Sequence, residues 1–275
     1  MIRLALATLA AALASPVLAQ PLPALPDVAP YDLPRQKLIL VGDSTVATGS
    51  GWGGAFCDDH TISALACLNL GREGRSTRTY REDGSWDIAL AEIQPQAYAA
   101  VWVLIQFGHN DEPGKRSSTD PDAYAANLTR YVEEVRARGG RPVLATPLTR
   151  RSFSDGQLRN SLEDRSAIVR RVAAETQTPL IDLNALSAEA VEAMGAEEAA
   201  RLGAGPFPDS FIPDLQAGQS PIPPPQLVLR AAPVGRRSTE FDYTHLGPTG
   251  ATVFAKLVVD AMITATPELA PILVP

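Results

Sequence analysis

The chain has 275 residues, of which 45% are hydrophobic and 20% charged, and its mean hydropathy is −0.02. This composition can bury a full core, and it excludes a disordered chain, a polytopic membrane protein and a disulfide-dense miniprotein. Lys and Arg total 24 against 31 Asp and Glu, so the net charge of −7 argues against a nucleic-acid partner, which needs a basic face. Three histidines and two cysteines argue against a structural zinc site.

Residues 1–19 have the pattern of a secretory signal peptide. Arg3 is the only charge among the first 26 residues, an apolar run follows at 4–13, and Val17-Leu18-Ala19 is a small-residue exit. The pattern predicts cleavage after Ala19 and a secreted or periplasmic chain that has no membrane partner after cleavage. An uncleaved anchor is the alternative, although the apolar run is shorter than the roughly 20 residues that a span needs.

Export also bears on the two cysteines, Cys57 and Cys67. Thiols are oxidised outside the cytosol, so a secreted chain is predicted to join them in a disulfide. Closing so short a loop would stabilise the fold by roughly 2–3 kcal/mol in the chain-entropy model. Two buried thiols are the alternative interpretation.

After a Pro-rich leader at 20–35, short apolar runs alternate with longer amphipathic ones. Strands are predicted at residues 37–41, 67–70, 101–106, 142–146 and 180–182, and helices at about 86–93, 121–138, 158–176, 188–202 and 248–263. The clearest helix has Asp120 as its N-cap, Pro121 in its first position and Gly139 after its end. Strands that alternate with helices predict an α/β fold, a three-layer α/β/α sandwich around a five-stranded parallel sheet.

Residues 203–238 interrupt this alternation. They contain eight prolines, including Pro223-Pro224-Pro225, and have no strong periodicity. A segment of this length is either a functional lid or a mobile insertion, and the sequence does not favour one over the other. The predicted domain therefore covers residues 36–265, with this insertion inside it.

Three short motifs are candidates for chemistry. The first predicted strand ends in Gly42-Asp43-Ser44 and the third in Gly108-His109-Asn110-Asp111, and ligands bind at the carboxyl ends of parallel strands. Asp242-Tyr243-Thr244-His245 precedes the last helix. A carboxylate three residues before a histidine can accept its Nδ1 proton and leave Nε2 free as a base. Turns favour such residues anyway, so only the combination of the three motifs predicts a site.

Together these motifs resemble the SGNH, or GDSL-type, hydrolases, and in particular their rhamnogalacturonan acetylesterase branch. The matching segments are Gly42-Asp43-Ser44-Thr45, Gly74-Arg75-Ser76, Gln106-Phe107-Gly108-His109-Asn110-Asp111, Thr146-Pro147-Leu148-Thr149-Arg150-Arg151 and the pair Asp242 and His245. The resemblance implies a flavodoxin-like sandwich and a secreted serine esterase without metal or cofactor. It also implies a plant cell-wall polysaccharide as the partner, with acetylated rhamnogalacturonan expected and acetylxylan or another acetylated glycan as the alternative. Two departures, the long Pro-rich segment and Tyr243 where the branch often has histidine, bear on the choice of substrate.

The resemblance further implies acyl transfer through an acyl-enzyme. Ser44 is the expected nucleophile, His245 its base, and Asp242 the partner that orients the imidazole. The backbone N–H groups of Ser44 and Gly74 and the side-chain amide of Asn110 are the expected oxyanion hole. One such donor is typically worth roughly 3–4 kcal/mol in the transition state.

Five further residues are predicted to contact the substrate, because aromatic rings stack on sugars and arginines bind acidic groups. They are Trp52, Arg75, Tyr80, His109 and Arg150. Core aromatic rings and solvated arginines are the ordinary alternative for this set, and His109 has a second alternative as a histidine that steers the loop.

Other interpretations use the same residues differently. In one alternative, His109 replaces His245 as the base. In another, a metal-dependent phosphoesterase uses Asp43, Asn110 and Asp111 with a histidine, although the chain has too few histidines for two metal shells. A carbohydrate-binding protein on an inactive esterase scaffold is the third alternative. The Gly-x-Gly-x-x-Gly match at 49–54 is interpreted as the close-packed start of a helix and not as a nucleotide site.

Overall fold

The apolar runs form a parallel sheet in the computed structural model, which describes residues 33–223 and 240–275. Its strands are β1 (Gln36–Gly42), β2 (Leu65–Asn69), β3 (Ala100–Gln106), β4 (Arg141–Ala145) and β7 (Leu180–Ile181), and a separate antiparallel hairpin consists of β5 (Phe153–Ser154) and β6 (Gln157–Leu158). The sheet order is β2-β1-β3-β4-β7 and every neighbouring pair is parallel. All seven residues of β1 are buried, which explains why central strands have continuous apolar runs and no alternation.

The helices are α1 (Gly53–Asp59), α2 (Thr79–Glu82), α3 (Ser85–Ala91), α4 (Pro121–Ala137), α5 (Glu163–Glu175), α6 (Leu183–Ala200), α7 (Ile212–Gln216) and α8 (Pro248–Ala265). Helix α4 begins as predicted, because the Asp120 side chain accepts the Ala123 N–H at 2.9 Å. Helix α5 begins later than predicted, since Leu158 pairs in the hairpin, and α6 begins earlier, since Asp182 is its N-cap.

Helices cover both faces of the sheet. One apolar cluster packs α1, α6 and α8 against the sheet and includes Trp52, Phe56, Val191, Phe254 and Val258. The other packs α3, α4 and α5 against the opposite face and includes Trp86, Leu128, Tyr131, Val169 and Val172. This arrangement confirms the predicted three-layer α/β/α sandwich. With both faces covered, the carboxyl edge of the strands is the place where polar side chains gather.

Some of the predicted segments lie outside the described residues, and the packed chain extends beyond the predicted end of the domain. The signal peptide at 1–19, most of the leader at 20–35 and residues 224–238 of the Pro-rich insertion lie outside the described residues. The described part of the insertion holds a 3-10 helix (Asp209–Phe211) and α7, which the lack of periodicity had not predicted. The packed chain also continues past residue 265, because a 3-10 helix (Pro267–Ile272) buries Leu269 and Ile272 in the core.

Two further features concern stability and membranes. A disulfide bond joins Cys57 in α1 to Cys67 in β2, with Cα atoms 5.5 Å apart. Within residues 33–223 and 240–275, no helix combines the length and apolar character that crossing a membrane requires.

Candidate active site

Ser44 lies in a tight turn at the carboxyl end of β1. The Asp43 carboxylate builds the turn by accepting the Thr45 backbone N–H at 2.8 Å and the Thr45 hydroxyl at 2.7 Å. The Asp43 carbonyl accepts the backbone N–H groups of Val46 and Ala47 at 3.2 and 3.1 Å. Ser44 is only 5% exposed, and the turn fixes its hydroxyl at the carboxyl edge of the sheet.

A buried network supports this turn from below. Gln106, at the end of β3, donates from Nε2 to the Thr45 hydroxyl at 2.6 Å and accepts the Trp52 indole N–H at 2.9 Å. Gly51 approaches so closely that a Cβ there would lie 2.0 Å from the Thr45 carbonyl oxygen, which only glycine permits. The glycine-rich segment at 49–54 therefore packs against the nucleophile turn and leads directly into α1, as the sequence indicated.

His245 and Asp242 reach Ser44 from the other end of the chain. The His245 Nε2 lies 3.0 Å from the Ser44 Oγ, and Nδ1 lies 2.6 Å from the Asp242 Oδ2. The other carboxylate oxygen of Asp242 accepts the backbone N–H groups of Thr244 and His245 at 2.7 and 2.6 Å. The structure thus brings together the three residues of the predicted Ser-His-Asp set.

The charges of this set favour an imidazole that accepts a proton at Nε2. Burial alone would raise the pKa of Asp242, but the hydrogen bond and charge of His245 outweigh it and lower the pKa to about 2. Burial alone would lower the pKa of His245, but the hydrogen bond and negative charge of Asp242 outweigh it, and the pKa lies above its usual value. Asp242 is therefore ionised whenever His245 is neutral, and Nδ1 carries the proton that faces the carboxylate.

The predicted oxyanion residues Gly74 and Asn110 lie in the loops that follow β2 and β3. Gly74 has a φ of +72°, in the left-handed region that favours glycine. The Asn110 side-chain amide donates to the carbonyl of the next residue, Arg75, at 3.1 Å, which brings it beside the Gly74 segment. The Arg72 N–H donates to the Gly42 carbonyl at 2.9 Å and ties the same segment to the nucleophile turn. Loops that follow β1, β2 and β3 thus converge at one edge.

Three of the predicted substrate contacts are corrected by their burial. Trp52 is 0% exposed, Tyr80 is 1% exposed and His109 is 2% exposed. The Trp52 indole N–H donates to Gln106 in the network below Ser44, and the Tyr80 hydroxyl donates to the Leu70 carbonyl at 2.8 Å. Trp52 and Tyr80 pack within the two apolar clusters, and none of the three rings presents a face to a sugar. Composition and spacing do not distinguish such rings from exposed ones.

Within the described residues, neither His109 nor Asp111 hydrogen-bonds the Ser44 hydroxyl. The His109 Nδ1 lies 3.6 Å from the Asp43 Oδ2, and burial holds the pKa of this imidazole below its usual value. The histidine that hydrogen-bonds Ser44 is His245, so the geometry does not favour His109 as the base. Asp111 accepts the Thr77 hydroxyl at 2.6 Å, and burial raises its pKa to about 6. In the described part of the chain, no cluster of three or more His, Cys, Asp or Glu side chains is placed to hold a metal ion.

The two predicted arginines, Arg75 and Arg150, are partly exposed. The Arg150 guanidinium forms an ion pair with Glu112 and also donates to the Ser161 hydroxyl at 2.6 Å. The Arg75 Nε pairs with Asp83 at 2.5 Å, and Arg75 lines a groove of about 500 Å³ beside Gly74. The remaining residues of this groove are Arg78, Thr79, Glu82, Asp83, Arg116 and Ser117.

Comparison with known proteins places this geometry in a family. Residues 40–215 match the model of the GDSL-like lipase/acylhydrolase family. The rhamnogalacturonan acetylesterase RhgT of Bacillus subtilis strain 168 is 31% identical over 235 residues, which are 82% of this chain and 89% of RhgT. The probable rhamnogalacturonan acetylesterase YesY of the same strain is 32% identical over 154 residues, which are 53% of this chain and 69% of YesY.

A solved structure agrees with the fold. The crystal structure of the Bacillus subtilis protein YxiM matches with a TM-score of 0.63 and 22% identity, and the match covers 84% of this chain and 56% of YxiM. This chain thus spans little more than half of that protein. The family match, the identity to RhgT and the edge where Ser44 meets His245 agree with one another. The chain belongs to the GDSL-like lipase/acylhydrolase family and is a carboxylic ester hydrolase.

Proposed function

We propose that this chain removes acetyl groups from acetylated rhamnogalacturonan by a Ser-His-Asp mechanism. The observation that carries the mechanism is the continuous hydrogen-bonded series from the Ser44 hydroxyl through His245 to Asp242, with distances of 3.0 and 2.6 Å. The substrate class rests on the similarity to RhgT and YesY, whose names assign them to this polysaccharide.

In the proposed reaction, the His245 Nε2 takes the proton of the Ser44 hydroxyl while the Oγ attacks the acetyl carbonyl. Asp242 keeps the Nδ1 proton in place and stabilises the imidazolium that forms. The alcohol of the sugar then leaves with the proton from Nε2, and an acetyl group remains on Ser44. Water attacks this ester with His245 again as base, and acetate is released.

The developing negative charge on the acetyl oxygen needs donors that are already in position. The backbone N–H groups of Ser44 and Gly74 and the Asn110 amide are the proposed donors. One N–H of that amide is held by the Arg75 carbonyl, and this bond fixes the orientation of the other. Donors that do not reorganise during the reaction contribute most to the rate.

The groove beside Gly74 supports an acidic substrate. Its three arginines, Arg75, Arg78 and Arg116, face two carboxylates, so the groove has a formal excess of one positive charge in a chain of net charge −7. The ion pairs of Arg75 and Arg78 are at the surface, where such pairs contribute only about 0–1 kcal/mol and can exchange partners. A uronate carboxylate is a suitable competitor for these guanidinium groups.

The deciding experiment measures acetate release from defined polymers. Acetylated rhamnogalacturonan, the same polymer with its carboxyl groups reduced, acetylxylan and p-nitrophenyl acetate are compared, with Ser44→Ala as the inactive control. The proposal expects the highest kcat/KM on the intact acidic polymer and a loss on the reduced one. A preference for acetylxylan would reject the substrate and keep the mechanism. Binding of polymer without acetate release by the unaltered protein would instead identify a carbohydrate-binding protein.

Secretion is part of the same proposal. A polymeric cell-wall substrate cannot enter a cell intact, and the signal-peptide pattern at 1–19 agrees with an enzyme that meets it outside the cytosol. Expression of the full chain followed by N-terminal sequencing of the exported protein tests this. The expected N-terminus is Gln20. Retention of the whole chain in the membrane fraction would contradict cleavage.

A further inference from the structure

Arg150 and Arg151 are adjacent in the sequence but lie in different environments. Arg150 is partly exposed and pairs with Glu112, whereas Arg151 is 0% exposed. A buried cation of this kind is costly unless other groups replace the water that it has lost. Its hydrogen-bond partners therefore indicate why the fold tolerates it.

Those partners are the four consecutive carbonyls of the Asp-x-x-His turn, residues 242–245. The Arg151 Nη2 donates to the carbonyls of Asp242 and His245 at 3.1 and 2.8 Å, and Nη1 donates to that of Thr244 at 3.3 Å. The Arg151 backbone N–H donates to the remaining carbonyl, that of Tyr243, at 2.9 Å. One residue thus binds the main chain of every residue in the turn that holds Asp242 and His245.

Other contacts also hold this turn. The Arg150 Nε donates to the Thr244 hydroxyl at 3.3 Å, and the Tyr243 hydroxyl donates to the Pro221 carbonyl at 3.0 Å. Its own Asp242 carboxylate closes it internally by accepting the Thr244 and His245 N–H groups. The Ala204 N–H donates to the His245 carbonyl at 3.1 Å, and the Leu246 N–H beyond the turn donates to the Ser50 carbonyl at 2.8 Å. Of these groups, the Arg151 guanidinium reaches three carbonyls at once. It lies six residues past the end of β4, in the segment that joins this strand to the hairpin, so it links the turn to the chain that leaves the sheet.

We propose that Arg151 is a positioning residue, which holds the 242–245 turn so that the His245 Nε2 stays within hydrogen-bond distance of Ser44; this inference rests on the proposed Ser-His-Asp mechanism. The planar guanidinium has five N–H donors in a fixed arrangement, and a turn that brings three carbonyls within its reach suits it. A shift of the turn by about 1 Å is enough to reduce catalysis about 10²-fold.

The test compares Arg151→Met and Arg151→Lys with the unaltered protein on p-nitrophenyl acetate. Arg151→Met keeps much of the volume and removes all guanidinium bonds, so kcat is expected to fall about 10²-fold with KM changed by less than about threefold. Arg151→Lys retains the charge and can reach one or two of the carbonyls, so it is expected to restore part of the kcat.

The control for lost stability is Leu128→Ala, in α4 on the opposite face of the sheet. It creates a core cavity far from the turn, so its melting temperature is expected to fall while its kcat is unchanged. An Arg151→Met variant that melts at a lower temperature but keeps its kcat would overturn the proposal, and so would a change confined to KM. If Arg151→Met does not fold, Arg151→Lys decides: an unchanged kcat in this variant overturns the proposal, and a reduced kcat with unchanged KM supports it.

A spectroscopic readout separates this inference from the proposed function. The proton shared by His245 and Asp242 at 2.6 Å resonates far downfield in a proton NMR spectrum when the hydrogen bond is held in place. The resonance is expected in the unaltered protein and in Ser44→Ala, and is expected to be lost in Arg151→Met. If no ester is hydrolysed at all, the mechanism fails, but this resonance still tests Arg151. Its persistence in Arg151→Met would overturn the positioning role.

Discussion

The two halves of the site are held in place in different ways. The turn that contains Ser44 follows directly from a central strand, and the side chains below it, Gln106 and Trp52, belong to the same packed core. The turn that contains Asp242 and His245 lies 198 to 201 residues later in the chain, and the Arg151 side chain holds its carbonyls. Ser44 is thus held by a turn that continues a core strand, whereas the turn of His245 depends on long-range contacts, among them the three carbonyls that the Arg151 guanidinium binds.

This difference has a consequence for variation. A substitution near Ser44 disturbs a buried network that also stabilises the fold, so stability and activity change together. A substitution near the Asp-x-x-His turn can move the base and leave the sheet intact. The geometry predicts that variants of the Ser44 region lower both the free energy of unfolding and kcat, whereas variants of the Asp-x-x-His turn lower mainly kcat.

The largest expected effect tests whether the two regions act as one unit. Ser44→Ala and His245→Ala are each expected to lower kcat on p-nitrophenyl acetate by roughly 10⁴–10⁶-fold, and the double variant by little more, because both residues serve one proton transfer. Steady-state kinetics of the three proteins measure this. Losses that multiply in the double variant would show that Ser44 and His245 act separately.

The next effect concerns the third loop, which follows β3. Asn110→Ala is expected to lower kcat by roughly 10²–10³-fold with little change in KM, because the amide donates to an oxyanion that exists only in the transition state. The measurement is kcat and KM on the same ester. A defect that is mainly in KM would instead make Asn110 a substrate-binding residue.

A smaller effect sharpens the contrast between stability and activity. Gln106→Leu leaves the buried Trp52 N–H without an acceptor, so the free energy of unfolding is expected to fall by about 1–3 kcal/mol. Urea denaturation measures it, with the exposed Gln94→Leu as a control that is expected to stay within about 0.5 kcal/mol. An equal loss in both variants would show that the network does not support the nucleophile turn.

The smallest expected effect is a shift in pH dependence. The base works when neutral, and Asp242 raises the pKa of His245, so kcat/KM is expected to rise with pH as His245 loses its proton. The pKa of Asp242 is about 2, so its own titration lies below this range. Asp242→Asn removes the negative charge and is expected to move the acidic limb to lower pH, with a lower plateau. Profiles of both proteins at constant ionic strength test this, and a limb that does not move would separate Asp242 from His245.

Local signals in the sequence predicted much of this structure. Continuous apolar runs identify the buried strands because both faces of a parallel sheet are covered, and Asp120 with Pro121 marks the start of α4. The Asp-x-x-His spacing predicts its own hydrogen bond because one turn joins both residues. These features depend on neighbours within a few residues, which is why the sequence displays them.

The exposure of single side chains was not predictable in the same way. Arg150 and Arg151 are identical in type and adjacent, yet Arg150 is partly exposed and Arg151 is buried. Arg151 packs against a turn that lies 91 to 94 residues later in the chain. Trp52 and Tyr80 are core rings that the same composition would allow at a sugar-binding surface. Burial is decided by which distant segment packs on top, and a single sequence gives no local signal of that.

The disulfide between α1 and β2 also stabilises an edge strand of the sheet. Strand β2 lies at one end of the order β2-β1-β3-β4-β7, so one of its backbone edges has no partner strand among residues 33–223 and 240–275. The strand at the opposite end, β7, has only two residues. An unpaired edge is a template for pairing with other chains, and short strands limit that hazard. The longer edge strand has a covalent bond to the helix that packs beside it, which opposes its detachment from the sheet. Outside the cytosol, this bond would protect the edge from intermolecular β-pairing.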